Sequence, residues 1–124
     1  MHQELKTERM ETKTTNKHLR NFYIAGFTYH EGCLAINMLK IGTPLKLVRE
    51  KNNSFDPNAV AIYFKEYKLG YIPATDNELV CNLLDLGYSN IFDLRVQRLS
   101  PDQHPEKQVG VVLFIKPANK AFNR

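Results

Sequence analysis

The chain has 124 residues, 43% of them apolar, which is the size and composition of one globular domain. It carries 17 Lys and Arg against 13 Asp and Glu, and the net charge of +4 is compatible with a polyanionic partner. No apolar run is long enough to span a bilayer, and the first residues are too polar for a secretory signal, so we expect a cytoplasmic protein without a membrane partner. Cys33 and Cys81 show no pairing signal and are expected to be free thiols.

The N-terminal part divides into an arm and a first strand. Residues 1–20 are rich in Thr, Lys and Glu, which predicts a polar flexible arm, either a solvated tail or a binding arm. Residues 21–29 predict a strand in which Gly26 marks a bulge or bend. Residues 33–40 are ambiguous between a short helix and a strand-like crossing.

The stretch from Pro44 to Pro73 predicts three short strands. Period-2 runs rich in β-branched and aromatic residues lie at 45–50 and 59–64, and a third run at 68–72 follows a tight hairpin. The first two strands are joined by residues 51–58, whose Asn, Asp and Pro are typical of a turn. Phe55 is unusual in the middle of this polar turn. It is either a plug at the rim of a barrel or a platform for a flat ligand.

One helix and two further strands complete the domain. Thr75 is predicted as the N-cap, with Glu78 completing a capping box, and Gly87 as the C-terminal glycine. The apolar side of this helix consists of Leu79, Val80, Leu83, Leu84 and Leu86. Residues 90–99 predict a strand, and the unbroken apolar run at 109–115 predicts a strand buried on both faces.

This order of elements predicts a mainly β fold. Short strands with local hairpins and one helix favour a small, partly open barrel of the OB or SH3-like kind, with about six strands. We predict that the barrel domain spans residues 21–116 and that residues 117–124 form a basic C-terminal tail.

Several segments together resemble a HIRAN domain, over roughly residues 22–115. They are FTYHEG at 27–32, Gly42 to Pro44, LVRE at 47–50, NSFDPNAV at 53–60 and LGYIP at 69–73. HIRAN domains occur as the N-terminal module of HLTF-type DNA translocases and as free-standing proteins in bacteria and phages. The resemblance implies an OB-like barrel. It also implies single-stranded DNA or DNA 3′ ends as the partner, because the eukaryotic member grips the 3′ end of single-stranded DNA.

The resemblance assigns roles to five residues. Tyr29 matches a tyrosine that stacks on a base, and Phe55 matches a second aromatic residue on the other side of that base. Asp56 matches an aspartate that accepts a hydrogen bond from the 3′-hydroxyl, and Asn53 a polar residue of the same pocket. Tyr71 stands where the eukaryotic protein has a histidine. Two aromatic faces can hold one base without reading its identity, for roughly 1–3 kcal/mol per stacked base.

The chain departs from the DNA-binding relative at two cations. Thr28 replaces an arginine and Ala74 replaces a lysine, which weakens the expected grip on phosphate. Four nearby cations could replace them, namely Lys46, Arg49, Lys51 and Lys68. Of these, we predict Arg49 and Lys51 as nucleic-acid contacts. The alternatives are structural: Asp56 and Asn58 are ordinary turn formers, and a structural role at the barrel rim is favoured for Tyr71.

Enzymatic functions find little support in the sequence. It contains no Gly-rich loop with Gly-Lys-Ser/Thr and no Cys-x-x-Cys pair, so we predict no ATPase, no metal site, no cofactor and no catalytic residues. Two hypotheses remain. One is a binding module for single-stranded DNA or DNA 3′ ends in repair, replication or mobile-element biology, with a helicase or nuclease as further partner. The other is a protein-interaction adaptor that keeps the barrel without the pocket.

Overall fold

The computed structural model describes residues 16–27 and 30–117, and shows a six-stranded antiparallel sheet. The strands are β1 (Lys17–Tyr23), β2 (Pro44–Arg49), β3 (Val60–Phe64), β4 (Tyr67–Tyr71), β5 (Phe92–Leu99) and β6 (Val109–Ile115). The α-helices are α1 (Gly32–Ala35) and α2 (Asn77–Asp85), and short 3-10 turns lie at Ile36–Met38, Ser89–Ile91 and Pro105–Lys107. The strand order is β1-β6-β5-β2-β3-β4. Within the described ranges, no helix has the length and apolar character needed to cross a membrane.

The sheet curls into a barrel that closes at one point. Just after β1, the Ala25 N–H donates to the Tyr71 carbonyl and the Tyr71 N–H donates to the Ala25 carbonyl, both at 2.9 Å. Gly70 permits this approach, because a Cβ at that position would overlap the Ala25 carbonyl oxygen. Elsewhere the barrel is looser, since β2 pairs with β5 only through Pro44 and Leu45. The predicted small, mainly β, partly open barrel is therefore confirmed.

The core fills the inside of this barrel. Its buried members come from every strand except β2 and from α2, and include Phe22, Ile24, Ile62, Leu69, Val80, Leu94 and Val111. Strand β2 adds Leu45 and Leu47, which are partly buried and pack against this cluster. The predicted two-sided burial of β6 is confirmed for Val109 to Leu113, which are all buried. Val109, Val111 and Leu113 belong to the core cluster, whereas Gly110 and Val112 lie on the opposite, outer side of the strand.

The first strand lies earlier in the chain than predicted. It runs from Lys17 to Tyr23 and therefore begins inside the segment predicted as a flexible arm. Pairing with β6 explains the difference, since Lys17 lies opposite Ile115 and Tyr23 opposite Gly110. Tertiary pairing thus overrides the local polarity of the sequence. The bend predicted at Gly26 is present, with a positive φ of 71°.

The start of α2 was predicted wrongly and its end correctly. The helix begins after Asp76, whose N–H closes a turn onto the Pro73 carbonyl at 2.8 Å. That turn displaces the helix start by one residue, and the Thr75 hydroxyl donates to the Asp76 carboxylate at 3.1 Å instead of capping the helix. No capping box forms with Glu78. At the other end Gly87 has a φ of 93°, as a glycine after a helix commonly does.

Candidate nucleic-acid interface

The turn between β2 and β3 holds an aromatic side chain in solvent. The side chain of Phe55 is 95% exposed, which removes the plug interpretation. Its backbone is held by Asn53, whose Oδ1 accepts from the N–H groups of Phe55 at 2.8 Å and Asp56 at 3.0 Å. An Asn that bonds the backbone two residues later makes an ordered turn. The phenyl ring is thus presented to solvent on an ordered support.

Asp56 has a structural role in this turn as well as its predicted binding role. Its Oδ1 accepts from the Asn58 N–H and its Oδ2 from the Asn77 side-chain amide, both at 2.9 Å. Asn77 lies at the start of α2 and is 2% exposed, the one buried polar residue in the described part of the chain. A carboxylate has about four acceptor sites, so these two bonds leave capacity for a ligand hydroxyl.

On the β4 side of the turn, four side chains form a polar group that we call the Glu50 network: Glu50, Asn53, Lys68 and Tyr71. The Tyr71 hydroxyl donates to Glu50 Oε1 at 2.8 Å, and the Asn53 amide donates to the same oxygen at 3.1 Å. Lys68 Nζ donates to Glu50 Oε2 at 2.7 Å and to the Tyr71 hydroxyl at 2.6 Å. The network therefore fixes Asn53, which in turn holds the Phe55 turn.

The charges within the Glu50 network compensate each other. Burial pushes the pKa of Glu50 upward, but hydrogen bonds from Lys68, Tyr71 and Asn53 outweigh it and hold that pKa below its ordinary value. Burial likewise lowers the pKa of Lys68, but hydrogen bonds with Glu50 and Tyr71 raise it above its ordinary value. Both groups are thus charged at neutral pH. Lys68 is neutralised by Glu50 and offers a ligand less attraction than a free cation.

His30 packs against the ring of Tyr71. The two rings meet edge to face, with centroids 5.3 Å apart and planes at 74°. Burial and the positive charge of Lys68 lower the pKa of His30 from its ordinary value, against the opposing charges of Glu50 and Glu31. The neutral imidazole is therefore the favoured form beside this pocket.

The guanidinium of Arg49 bonds α2 and backbone carbonyls rather than the side chains of the Glu50 network. Its guanidinium pairs with the Asp85 carboxylate at 2.9 and 3.3 Å and donates to the carbonyls of Pro57 at 2.8 Å and Ala59 at 3.1 Å. The hydrogen bond from Arg49 lowers the pKa of Asp85. The side chain of Arg49 is only 15% exposed. These bonds occupy the guanidinium, so Arg49 is better suited to supporting the turn than to contacting a ligand.

The other positions named from the sequence are the predicted contact Lys51, the possible replacement cation Lys46 and the departure at Ala74. Lys51 is exposed at the start of the turn, and no ion pair of it is found among residues 16–27 and 30–117. Lys46 is exposed on β2. Ala74 is exposed just after β4, where it supplies no charge. Thr28 and Tyr29 lie outside the described residues, and stacking by Tyr29 stays a prediction.

An open cleft lies beside the Ala25–Tyr71 pairing that closes the barrel, which we call the barrel seam. It has a volume of about 520 Å³ and is lined in part by Tyr23, Ala25, Gly26, Pro73 and His104. It begins beside Tyr71, because Ala25 is the residue that pairs with Tyr71. We call it the seam cleft.

Sequence reasoning missed several members of this region: Glu50, Asn77, Tyr23 and His104. It named Lys68 only as a possible replacement cation, not as the partner of Glu50. Only the face of β2 gave a usable signal. Arg49 alternates in phase with Leu45 and Leu47, and period-2 alternation places all three on one face of the strand. That pattern indicates a half-buried arginine. In the described ranges, no three His, Cys, Asp or Glu side chains are grouped so that they could hold a metal ion.

An antiparallel barrel with an exposed aromatic turn beside its seam belongs to the class of small β-barrel binding domains. A family model of the HIRAN domain matches residues 18–116, and the chain belongs to that family. HIRAN domains are nucleic-acid-binding modules.

Among solved structures, the chain is similar to the crystal structure of a protein from Lactobacillus plantarum, a structural genomics target. The two are 26% identical with a TM-score of 0.68, and the match covers 82% of this chain and 95% of that chain. Among curated proteins, no significant match was found.

Proposed function

We propose that this HIRAN domain binds single-stranded DNA at 3′ ends, through a pocket formed by the Phe55 turn, Asp56 and Tyr71. The observation that carries the proposal is the 95% exposure of Phe55 on a turn that Asn53 holds in place. A wholly exposed aromatic ring gains nothing for folding, whereas stacking on a nucleobase would contribute roughly 1–3 kcal/mol of binding free energy. Tyr29 would supply the second aromatic face.

Asp56 would select the end of the strand over its interior. Its carboxylate can accept a hydrogen bond from a terminal hydroxyl but repels the phosphate of a continuing chain. The bonds from Asn58 and Asn77 hold the carboxylate in one orientation, so binding does not have to order it.

The site would depend on stacking more than on charge. Lys68 is neutralised by Glu50, and Arg49 is engaged by Asp85, so Lys51 is the predicted contact best placed to attract phosphate. Since each phosphate contact adds to the salt dependence, we expect a shallow salt slope. Stacking also reads no base identity, so we expect little sequence preference. We further propose that it acts in repair, replication or mobile-element biology beside a helicase or nuclease.

The test is fluorescence anisotropy with labelled strands that end in a 3′-hydroxyl or a 3′-phosphate, and with a blunt duplex. Phe55→Ala should weaken binding of the 3′-hydroxyl strand by roughly 5- to 100-fold, the loss of one stacked base. Asp56→Asn should remove the preference for the hydroxyl. Leu86→Ala, which truncates another exposed apolar side chain at the end of α2, serves as control. Equal binding of both strands by the unaltered protein would contradict end selection, and full affinity in Phe55→Ala would contradict the pocket.

A protein-interaction adaptor is the second candidate function. It is favoured by the exposure of Leu34 and Ile41, which are 65% and 64% exposed in and after the α1 region. Absence of binding to every strand at low salt would favour this alternative over the nucleic-acid pocket.

A further inference from the structure

A second open cleft lies on the outer face of the barrel, across β1, β6 and β5. It has a volume of about 250 Å³ and its lining includes Asn21, Tyr23, Gln97, Arg98 and Gly110. We call it the outer cleft. Tyr23 lines both this cleft and the seam cleft, so the two openings are neighbours that share one aromatic side chain.

Gly110 makes the outer cleft possible. It is paired with Tyr23 on β1 and with Arg98 on β5, so the two side chains flank a position without one. A Cβ on Gly110 would lie 3.2 Å from the Arg98 Cβ and 3.5 Å from the Tyr23 Cε1. The missing side chain therefore leaves a depression whose floor is backbone, and Arg98 Nη1 reaches the Tyr23 hydroxyl across it at 3.5 Å.

The lining of the outer cleft suits a polyanion with flat bases. Tyr23 offers a ring for stacking, Asn21 and Gln97 offer exposed amides, and Arg98 offers a guanidinium. No carboxylate pairs with Arg98 among the residues that the structure describes, in contrast to the neighbouring Arg95, which binds Asp93 at 2.9 Å. A positively charged groove that carries an aromatic platform is the usual arrangement for single-stranded nucleic acid.

The position of the outer cleft relates it to the proposed 3′-end pocket. Ala25 pairs with Tyr71 of that pocket, and Tyr23 precedes Ala25 by two residues, roughly 7 Å along an extended chain. A strand that leaves the pocket through the seam cleft would pass His104 and Glu106 and reach Tyr23 next. Glu106 is the one carboxylate in the lining of the seam cleft, and it would repel phosphate groups, so the backbone of the bound strand would lie away from it.

We infer that the outer cleft binds nucleotides upstream of the 3′ end, with a base on Tyr23 and a phosphate on Arg98. This inference rests on the proposed 3′-end function and extends its ligand from a terminal nucleotide to a single strand of several nucleotides. The extension predicts that affinity rises with strand length and that the added affinity depends on Tyr23 and Arg98.

The experiment compares a trinucleotide with a dodecanucleotide, both ending in a 3′-hydroxyl, over a series of salt concentrations. Tyr23→Ala should weaken dodecanucleotide binding by roughly 5- to 100-fold and leave trinucleotide binding unchanged. Arg98→Gln should reduce the salt slope for the dodecanucleotide by about 0.7, the contribution of one phosphate contact to a single strand. Arg95→Gln is the matched control, because Arg95 lies on the same strand but is held by Asp93 and the Gly42 carbonyl.

Two further variants separate binding from folding. Tyr23→Phe keeps the stacking ring and should keep the length advantage, whereas Gly110→Ala partly fills the depression and should reduce it. Thermal melting of each variant checks that the barrel is intact.

The outcomes distinguish the inference from the proposed function. If Phe55→Ala abolishes binding of both strands while folded Tyr23→Ala and Arg98→Gln bind as the unaltered protein does, the inference is overturned and the 3′-end function stands. If dodecanucleotide binding is weakened in Tyr23→Ala and Arg98→Gln but not in Phe55→Ala, the proposed 3′-end function is overturned. The inference that the outer cleft extends the 3′-end pocket is then overturned as well. If neither strand binds at low salt, both are overturned.

Discussion

Each flank of the Phe55 turn contains one ion pair, but the two pairs make different additional hydrogen bonds. On the α2 flank, Arg49 pairs with Asp85 at 2.9 Å. On the β4 flank, Lys68 pairs with Glu50 at 2.7 Å. The Arg49 guanidinium also donates to backbone carbonyls of the turn, whereas Lys68 and Glu50 bond the side chains of Tyr71 and Asn53.

This difference shows that the effect of an ion pair depends on the other hydrogen bonds that its two side chains make. Surface ion pairs contribute little to stability by themselves. A pair that also satisfies backbone carbonyls stabilises the shape of the turn, and a pair that holds pocket side chains sets the charge that a ligand meets. The α2 flank should therefore respond to mutation in stability, and the β4 flank in binding.

The largest effect is expected for Arg49→Ala. Its carbonyl partners at Glu50, Pro57 and Ala59 lose a charged donor, and we expect the free energy of unfolding to fall by about 3 kcal/mol, at about 1 kcal/mol for each bond. Urea denaturation measures this change. The salt slope of DNA binding, taken where the variant is folded, should not change.

Lys51→Ala is the control for Arg49→Ala, because Lys51 carries the same charge next to the same turn but is exposed. It should leave stability within about 0.5 kcal/mol and lower the salt slope instead. Equal stability losses in the two variants would remove the distinction between the flanks.

The distinction was only partly predictable from the sequence. The strands and the turn were predictable because the alternation of side chains and the turn-forming residues act between neighbours in the sequence. Strand β6, for example, was predicted with its observed bounds. The Glu50 network was not predictable in this way, because Glu50 meets Lys68 and Tyr71 across 18 and 21 residues. Asn77 likewise reaches Asp56 across 21 residues, so no local pattern could reveal its role.

A smaller loss of stability is expected for Asp56→Ala. Removing the carboxylate leaves the buried Asn77 amide without its acceptor, which costs about 2 kcal/mol. Asp56→Asn is the matched variant, because an amide of the same shape can bond Asn77 once the Asn77 amide is reversed. Urea denaturation should therefore show a clearly smaller loss for Asp56→Asn than for Asp56→Ala. An Asp56→Ala protein as stable as the unaltered one would mean that Asn77 finds another acceptor.

On the β4 flank, Glu50→Gln should change binding more than stability. The variant removes the negative charge that neutralises Lys68, and we expect tighter DNA binding with a salt slope steeper by about 0.7. The loss of stability should be about 1 kcal/mol, because the amide still accepts from Tyr71 or Asn53. Glu66→Gln, which removes an exposed carboxylate from the β3–β4 hairpin, is the control. Unchanged binding in Glu50→Gln would show that Lys68 does not face the ligand.

The smallest effect is a dependence of stability on pH that comes from His30. Burial and Lys68 lower its pKa below 6.5 in the folded protein, so the unfolded chain binds the proton more readily. His30 therefore contributes its full stability above pH 6.5, and that contribution is lost as the pH falls toward the lowered pKa. Glu50, whose pKa is also lowered, adds a second loss in the same direction below pH 4.5.

Urea denaturation over a pH series separates the two groups. In His30→Gln the decline that begins below pH 6.5 should disappear, and the decline that begins below pH 4.5 should remain. In Glu50→Gln the acid decline should shrink. The loss of the Glu50 charge should also lower the pKa of His30 further, because that carboxylate opposes the shift. If the fall in stability below pH 6.5 is unchanged in His30→Gln, the group that titrates there is not His30. The β4 flank would then not respond to pH in this range.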